Sequence, residues 1–231
     1  MTLELLFALI IFLAPHAVPS IPGLRPRLIE KFGRAGYLLG YITLSTITFI
    51  WLIVATLRAP YLGLWALSPW HVYVVLVLVA LGCTLLIAGL ATANPLSLSI
   101  LTAGNDVPKN AVLRITRHPL LWALGLWGMS HVIVNGDVAS IILFGILAVF
   151  SLGYMPLMDR RVQKTRGMEE WRRLSAGTSL MLFAAYFRPG SRPFIDRTLI
   201  LSAVGGLGMF VLLLYLHGPI IGVDPLGTIL Y

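Results

Sequence analysis

The stretch 116-TRHPLLWALGLWGMSHVIVNGD-137 contains two histidines, one before an apolar run and one within it. Pro119 follows His118 directly, and proline is favoured in the first turn of a helix, where main-chain N–H groups have no intrahelical partner. The run therefore predicts a membrane helix that begins near Pro119 and carries His131 several residues inside. Ionisable side chains at such depth are costly, so His131 needs a partner or a function.

The composition predicts an integral membrane protein. Of 231 residues, 58% are hydrophobic and 11% are charged, with a mean hydropathy of +0.90, which leaves too little polar surface to cover a soluble globule. The net charge of +8 comes from basic residues between apolar runs, so nucleic-acid binding is not expected. Cys83 is the single cysteine, which excludes an internal disulfide and any Cys-x-x-Cys motif.

Six apolar runs approach the roughly 20 residues that a helix needs to cross a bilayer. They are Met1 to Val18, Ala35 to Leu57, Trp70 to Ala93, Pro119 to Val134, Val138 to Met158 and Thr198 to His217. The first run lacks the basic flank of a cleaved signal peptide and is interpreted as a retained span. Thr178 to Phe187 is only ten residues long and is predicted to be interfacial or re-entrant. We expect an all-α, polytopic membrane helix bundle that forms one domain over residues 1–231.

The distribution of lysine and arginine predicts the orientation of these spans. Sixteen of the seventeen basic residues fall in alternate connections, at 19–34, 94–118 and 159–197. By the positive-inside rule these connections are cytoplasmic, which places both termini on the outer, periplasmic side of a bacterial inner membrane. The last connection is the most basic. It is interpreted as an amphipathic segment on anionic lipid, or as the inner mouth of a binding site that Asp159, Arg160 and Arg161 close and where they hold a carboxylate or propionate.

Three histidines are candidate ligands. His16 ends the first span between two prolines in an apolar setting that favours an iron porphyrin over a hydrolytic zinc site. His131 shares a helical stripe with Trp127 and Gly128, and Gly128 is expected to leave a gap for a flat ligand; the alternative is an imidazole hydrogen-bonded to a neighbouring helix. His118 either holds a ligand at the inner mouth together with Arg117 or is a polar entry to the span. His71 and His217, at span ends, are expected to meet headgroups.

Several of these motifs, taken in order, resemble one family of membrane proteins. They are His16, Leu24-Arg25, Thr116 to Pro119, Ser130-His131 with Asn135-Gly136, Asp159-Arg160-Arg161 and the run Thr178 to Ala185. The chain resembles the NnrU-like proteins of denitrifying bacteria, which are related to 15-cis-zeta-carotene isomerase. The resemblance implies a haem b protein associated with nitrite and nitric oxide reduction, or with redox-dependent isomerisation of a hydrophobic polyene.

The resemblance also implies axial ligands. The histidines proposed for the isomerase fall here on His16 and His131, whereas its cysteine three residues before the second histidine is replaced by Gly128. The span boundaries point to another pair, because the thirteen residues from His118 to His131 rise about 20 Å along a helix. His16 should then lie nearer to His118, which stays a third candidate. Arg117, Arg160 and Arg161 are the candidate partners of the cofactor's acidic groups.

Two other classes of function stay open at this stage. Membrane methyltransferases of the isoprenylcysteine and phospholipid type also carry Arg-His-Pro before a span, and Arg117, His118, Glu169 and Glu170 would then hold S-adenosylmethionine. Their usual tyrosine after the proline is Leu121 here. A non-catalytic assembly partner or small transporter lacks the paired broken helices of many transporters. The expected partners are membrane lipids, a hydrophobic substrate or nitrogen oxide, an electron donor and a second copy of the chain.

Overall fold

A computed structural model describes residues 2–18, 21, 23–101, 110–190 and 194–230. These residues form helices α1 (Leu3–Ala17), α2 (Leu24–Arg58), α3 (Pro69–Ala91), α4 (Ala111–Ile115), α5 (Pro119–Asn135), α6 (Val138–Arg166), α7 (Met168–Ser175), a 3-10 helix (Ala184–Phe187), α8 (Arg197–Ile221) and α9 (Gly227–Leu230). Over these residues the only β-type pairing is an isolated bridge between Gly63 and Asp137. The all-α prediction is therefore confirmed.

Four helices in the described part of the chain are long and apolar enough to cross a membrane: α2, α3, α6 and α8. The other two predicted spans correspond to α1, with 15 residues, and α5, with 17 residues. Thr178 to Phe187 forms turns and the 3-10 helix rather than a spanning helix, in line with its short length. Parts of two predicted basic connections, at 102–109 and 191–193, lie outside the described residues.

The two largest differences from the sequence prediction lie at helix boundaries. Helix α2 begins at Leu24 instead of Ala35, and α6 continues to Arg166 instead of ending at Met158. Hydropathy marks only the apolar part of a helix, so charged turns at either end escape it. Within α2, Gly33 has φ 70° and ψ 163°, which interrupts the helix and separates a basic first part from the apolar part that follows.

The chain divides into two compact units. The first comprises Met1–Ala66 and Gly136–Leu143, and in it α1 packs along α2. Phe12 of α1 contacts Phe49 of α2, with ring centroids 5.6 Å apart. The turn before α6 is closed by the Leu64 main-chain N–H, which donates to the Gly136 carbonyl at 2.7 Å. Asp137 then accepts hydrogen bonds from the main-chain N–H groups of Ala139 and Ser140 and caps α6.

The second unit comprises Leu67–Asn135 and Phe144–Tyr231. Helix α3 lies at its centre and packs against both α5 and α8. Buried Leu85, Ile115, Ala123 and Leu126 form its core. Small residues allow close approach, since a Cβ on Gly89 would come within 2.6 Å of the Leu120 side chain.

Candidate functional site

A buried polar cluster surrounds the start of α5. His118 is completely buried, and each of its ring nitrogens has a partner. Nδ1 lies 2.8 Å from Ser97 Oγ, and Nε2 lies 3.2 Å from Asp159 Oδ1. Ser97 comes from the connection after α3 and Asp159 from the end of α6. The cluster therefore joins three segments that are far apart in sequence.

Arg117 supplies the positive charge of this cluster. Its Nε donates to both carboxylate oxygens of Asp159, at 2.9 and 3.0 Å, and its Nη2 donates to Oδ2. Both side chains are about nine-tenths buried. The guanidinium also lies over the ring of Trp171 in α7, 5.9 Å from its centroid. Buried charges persist where they are paired and hydrogen-bonded, and this pair meets both conditions.

Main-chain bonds hold the predicted interfacial segment against the cluster. The Arg117 N–H donates to the Ser179 carbonyl at 2.8 Å, and the Phe183 N–H donates to the Ile115 carbonyl at 2.9 Å. The Leu180 carbonyl accepts from the Trp122 indole at 2.9 Å. Asn94 also holds the start of α5 in place, because its side-chain amide donates to the Arg117 carbonyl at 2.8 Å. The segment from Thr178 thus forms one wall of the cluster.

The two arginines of the predicted inner mouth are not buried in the cluster. Arg160 and Arg161 are exposed, whereas their neighbour Asp159 is buried. Helix α7 is amphipathic, since Leu174 packs with Leu96 and Val162 while Glu170 pairs with Arg173 at 2.8 Å on the exposed side. That hydrogen bond from Arg173 holds the pKa of Glu170 below its ordinary value. The structure therefore brings Arg117 and His118 together with Asp159, and not with Glu169 or Glu170.

His131 lies in α5, near the end opposite His118. Its Nδ1 lies 2.9 Å from the carbonyl oxygen of Trp127, one turn earlier. Its ring stacks on Phe144, with centroids 4.5 Å apart, and contacts the Trp127 ring at 4.8 Å, so the predicted stripe is confirmed. The predicted gap at Gly128 is wrong. A Cβ there would come within 2.8 Å of the Phe144 carbonyl, because α6 fills that space.

His16 lies in the first unit, in the last turn of α1. Its Nδ1 lies 2.7 Å from the Phe12 carbonyl oxygen, again one turn earlier. The ring contacts Phe12, with centroids 4.6 Å apart, and Tyr41 of α2, at 5.9 Å. Each of the two histidines is therefore flanked by aromatic rings within its own unit.

The remaining histidines have different environments. His71 is buried, and its Nδ1 accepts a hydrogen bond from the Ser68 main-chain N–H at 2.9 Å, so it caps α3 and does not face headgroups as expected. His217 is half-buried, with Nδ1 2.8 Å from the Val223 carbonyl oxygen. Within the described residues, no group of three or more His, Cys, Asp and Glu could hold a metal ion.

Sequence reasoning missed part of the cluster. Ser97 and Asn94 carry no recognisable signal, because they come from a connection without a motif. Asp159 was predicted to close an inner mouth together with Arg160 and Arg161, whereas the structure buries it against Arg117 and His118. The chain has only nine acidic residues, so few carboxylates could serve as the counter-ion that a buried Arg117 needs, but the sequence does not single out Asp159 among them.

These features define an α-helical protein with several helices suited to a membrane and a buried Arg–Asp–His cluster at the start of α5. A family model described as NnrU protein matches residues 4–225, and the chain belongs to this family. Neither the curated proteins nor the solved structures searched contain a match to the chain. Membership confirms the resemblance noted in the sequence, and nothing found supports the methyltransferase alternative.

Proposed function

We propose that the chain is a haem b-binding protein of the bacterial inner membrane that takes part in nitrite and nitric oxide metabolism. The observation that carries the proposal is a hydrogen bond of the same kind at His16 and His131. In each, Nδ1 lies within hydrogen-bond distance of a main-chain carbonyl one turn earlier. A carbonyl oxygen can only accept, so Nδ1 carries the proton and donates it.

This protonation suits a metal ligand. A neutral imidazole with its proton on Nδ1 has its lone pair on Nε2, and a carbonyl bonded to the far nitrogen fixes ring orientation and raises ligand basicity. Aromatic neighbours give both imidazoles the apolar surround of an iron porphyrin rather than the polar surround of a hydrolytic metal site. His16 and His131 are the histidines that would hold the haem, as the resemblance implies.

The other histidines fit less well. His118 uses both ring nitrogens within its cluster, so binding iron would break a bond to Ser97 or Asp159. His71 accepts at Nδ1, which places its proton on Nε2. His217 also has Nδ1 within hydrogen-bond distance of a main-chain carbonyl, so it is the second candidate for the partner of His131. Arg160 and Arg161 are exposed, and we propose them as the partners of the cofactor's acidic groups. Arg117 is a weaker candidate because it is buried and already paired with Asp159.

When bound, haem would supply an iron centre that exchanges electrons and accepts a nitrogen oxide or a polyene double bond. The chain's own residues would orient this centre and exclude water. The same proposal includes a topology of six spans with both termini on the outer side. It also includes an electron donor as a partner and association of the chain with a second copy of itself. The six-span arrangement is supported by the apolar character of α1 and by the alternation of basic connections.

The test is a haem titration of the detergent-solubilised full chain, followed by absorbance in oxidised and reduced states. We expect a haem b spectrum that His16→Ala and His131→Ala weaken strongly and that His71→Ala leaves unchanged. A loss with His217→Ala in place of His16→Ala would reassign the pair. A full chain that takes up no haem, or loses none of its spectrum in any histidine variant, would refute the proposal.

A further inference from the structure

The hydrogen bonds of the buried cluster can run in only one direction. Asp159 is held as a carboxylate by Arg117, and a carboxylate only accepts, so His118 Nε2 carries a proton and donates it. In a neutral imidazole the other ring nitrogen carries no proton and can only accept. Nδ1 is therefore the acceptor, and the Ser97 hydroxyl donates to it over 2.8 Å.

We infer that Ser97 is a nucleophile activated by His118, and that the connection after α3 carries a serine acyl-transfer site. A serine hydroxyl that donates to an imidazole, whose other nitrogen donates to a carboxylate, is the arrangement that activates serine for attack on a carbonyl. His118 and Asp159 are buried, whereas Ser97 is only half-buried, so Ser97 is the one of these three residues that a ligand can approach. The inference does not depend on haem.

The surroundings of Ser97 indicate the class of substrate. Three large apolar side chains follow it on the same connection and are exposed: Leu98, Ile100 and Leu101, at 41%, 71% and 44%. The connection follows directly after a helix that is apolar enough to cross a membrane. An ester with a long acyl chain could lay that chain on these residues while its carbonyl reaches the hydroxyl. We therefore assign the site to hydrophobic acyl esters.

The step balances within the chain and its substrate. Ser97 Oγ forms a bond to the ester carbonyl carbon, and its proton passes to His118 Nδ1. The bond from that carbon to the alcohol oxygen breaks, and the leaving oxygen takes the proton from Nδ1. Water then hydrolyses the acyl-serine and releases the carboxylic acid. Asp159 and Arg117 act as positioning residues, because they touch His118 or its partner and not the reacting atoms.

The connection also supplies a matched control serine. Ser99 lies two residues further on, but its hydroxyl is directed at the main-chain carbonyls of Thr92 and Leu101, at 3.1 Å each. It has no imidazole partner among its bonds in the described chain. Both serines are half-buried on one short connection, so a general reactivity of the segment would affect them equally. Activation by His118 would affect Ser97 alone.

The test is covalent labelling of the detergent-solubilised full chain with a long-chain alkyl fluorophosphonate. Ser97 Oγ would bond to phosphorus, fluoride would leave and His118 would take the proton. We expect an adduct on the Ser97 peptide by mass spectrometry, no adduct at that peptide in Ser97→Ala, and unchanged labelling in Ser99→Ala. His118→Gln should slow labelling roughly 100-fold, the lower end of general-base effects.

Two results would overturn the inference: a wild-type chain without an adduct at Ser97, or equal labelling in Ser97→Ala and Ser99→Ala. If Ser97→Ala fails to fold, the position of the adduct on the wild-type chain still decides. Hydrolysis of a long-chain p-nitrophenyl ester gives the second readout, and its loss in Ser97→Ala but not in Ser99→Ala is expected.

Discussion

Replacing Asp159 by Asn tests the buried cluster most sharply. The carboxylate accepts one bifurcated hydrogen bond from the single N–H of Arg117 Nε, one bond from Nη2 and one from His118 Nε2. The Arg117 and Asp159 side chains are 11% and 9% exposed. Asn has the same shape and keeps one acceptor oxygen, but it leaves the guanidinium buried without a counter-charge. We expect unfolding free energy to fall by about 3 kcal/mol, the lower end of the cost of removing one partner from a buried ion pair.

The assay is thermal unfolding of the detergent-solubilised chain, followed by the helical circular dichroism signal. For a chain of this size the loss corresponds to a fall in Tm of roughly 6 to 12 °C. Glu170→Gln is the matched control, because it removes an exposed carboxylate paired with Arg173 and should leave Tm unchanged. Arg117→Met should cost less in the Asp159→Asn background than in the wild type, since the cation it removes is then already without its carboxylate. Equal Tm values for Asp159→Asn and Glu170→Gln would refute the reasoning.

Two further substitutions test packing. Gly128→Ala would press a Cβ to within 2.8 Å of the Phe144 carbonyl, and we expect a loss of about 1–3 kcal/mol in the same melts. Gly153→Ala, with nothing within 4 Å, should instead stabilise the helix by roughly 0.5–1 kcal/mol, and the reverse order would contradict the contact at Gly128. Trp122→Phe removes the indole bond to the Leu180 carbonyl and should cost about 1 kcal/mol. Exposed Trp51→Phe is its control, and equal effects of the two would show that the bond contributes nothing.

The helices and ring contacts that depend only on the local sequence pattern were predictable. Pro119 marks the start of α5, apolar runs mark the cores of α2, α3, α6 and α8, and the spacing of Trp127 and His131 puts their rings in contact. The predicted helix boundaries were wrong where a helix continues past its apolar part. The basic turns of α2 from Leu24 are helical, although hydropathy excludes them from the span.

Long-range contacts were not predictable from the sequence. The space beside Gly128 depends on how closely α6 approaches, and a glycine pattern cannot separate a gap for a ligand from a close helix contact. The same holds for His118, whose partners lie 21 and 41 residues away. The requirement that a buried Arg117 have a counter-ion was readable from the sequence, but which carboxylate would meet it was not.

The proposed function depends on iron porphyrin bound to imidazoles whose protons lie on Nδ1. The most direct measurement is the haem content of the full chain purified in detergent from cells supplied with excess haem precursor, determined as the pyridine complex. The proposal predicts haem b in a fixed ratio to the chain, with that ratio falling sharply in His131→Ala and unchanged in His71→Ala. A folded but colourless wild-type chain, or equal haem content in both variants, would contradict it.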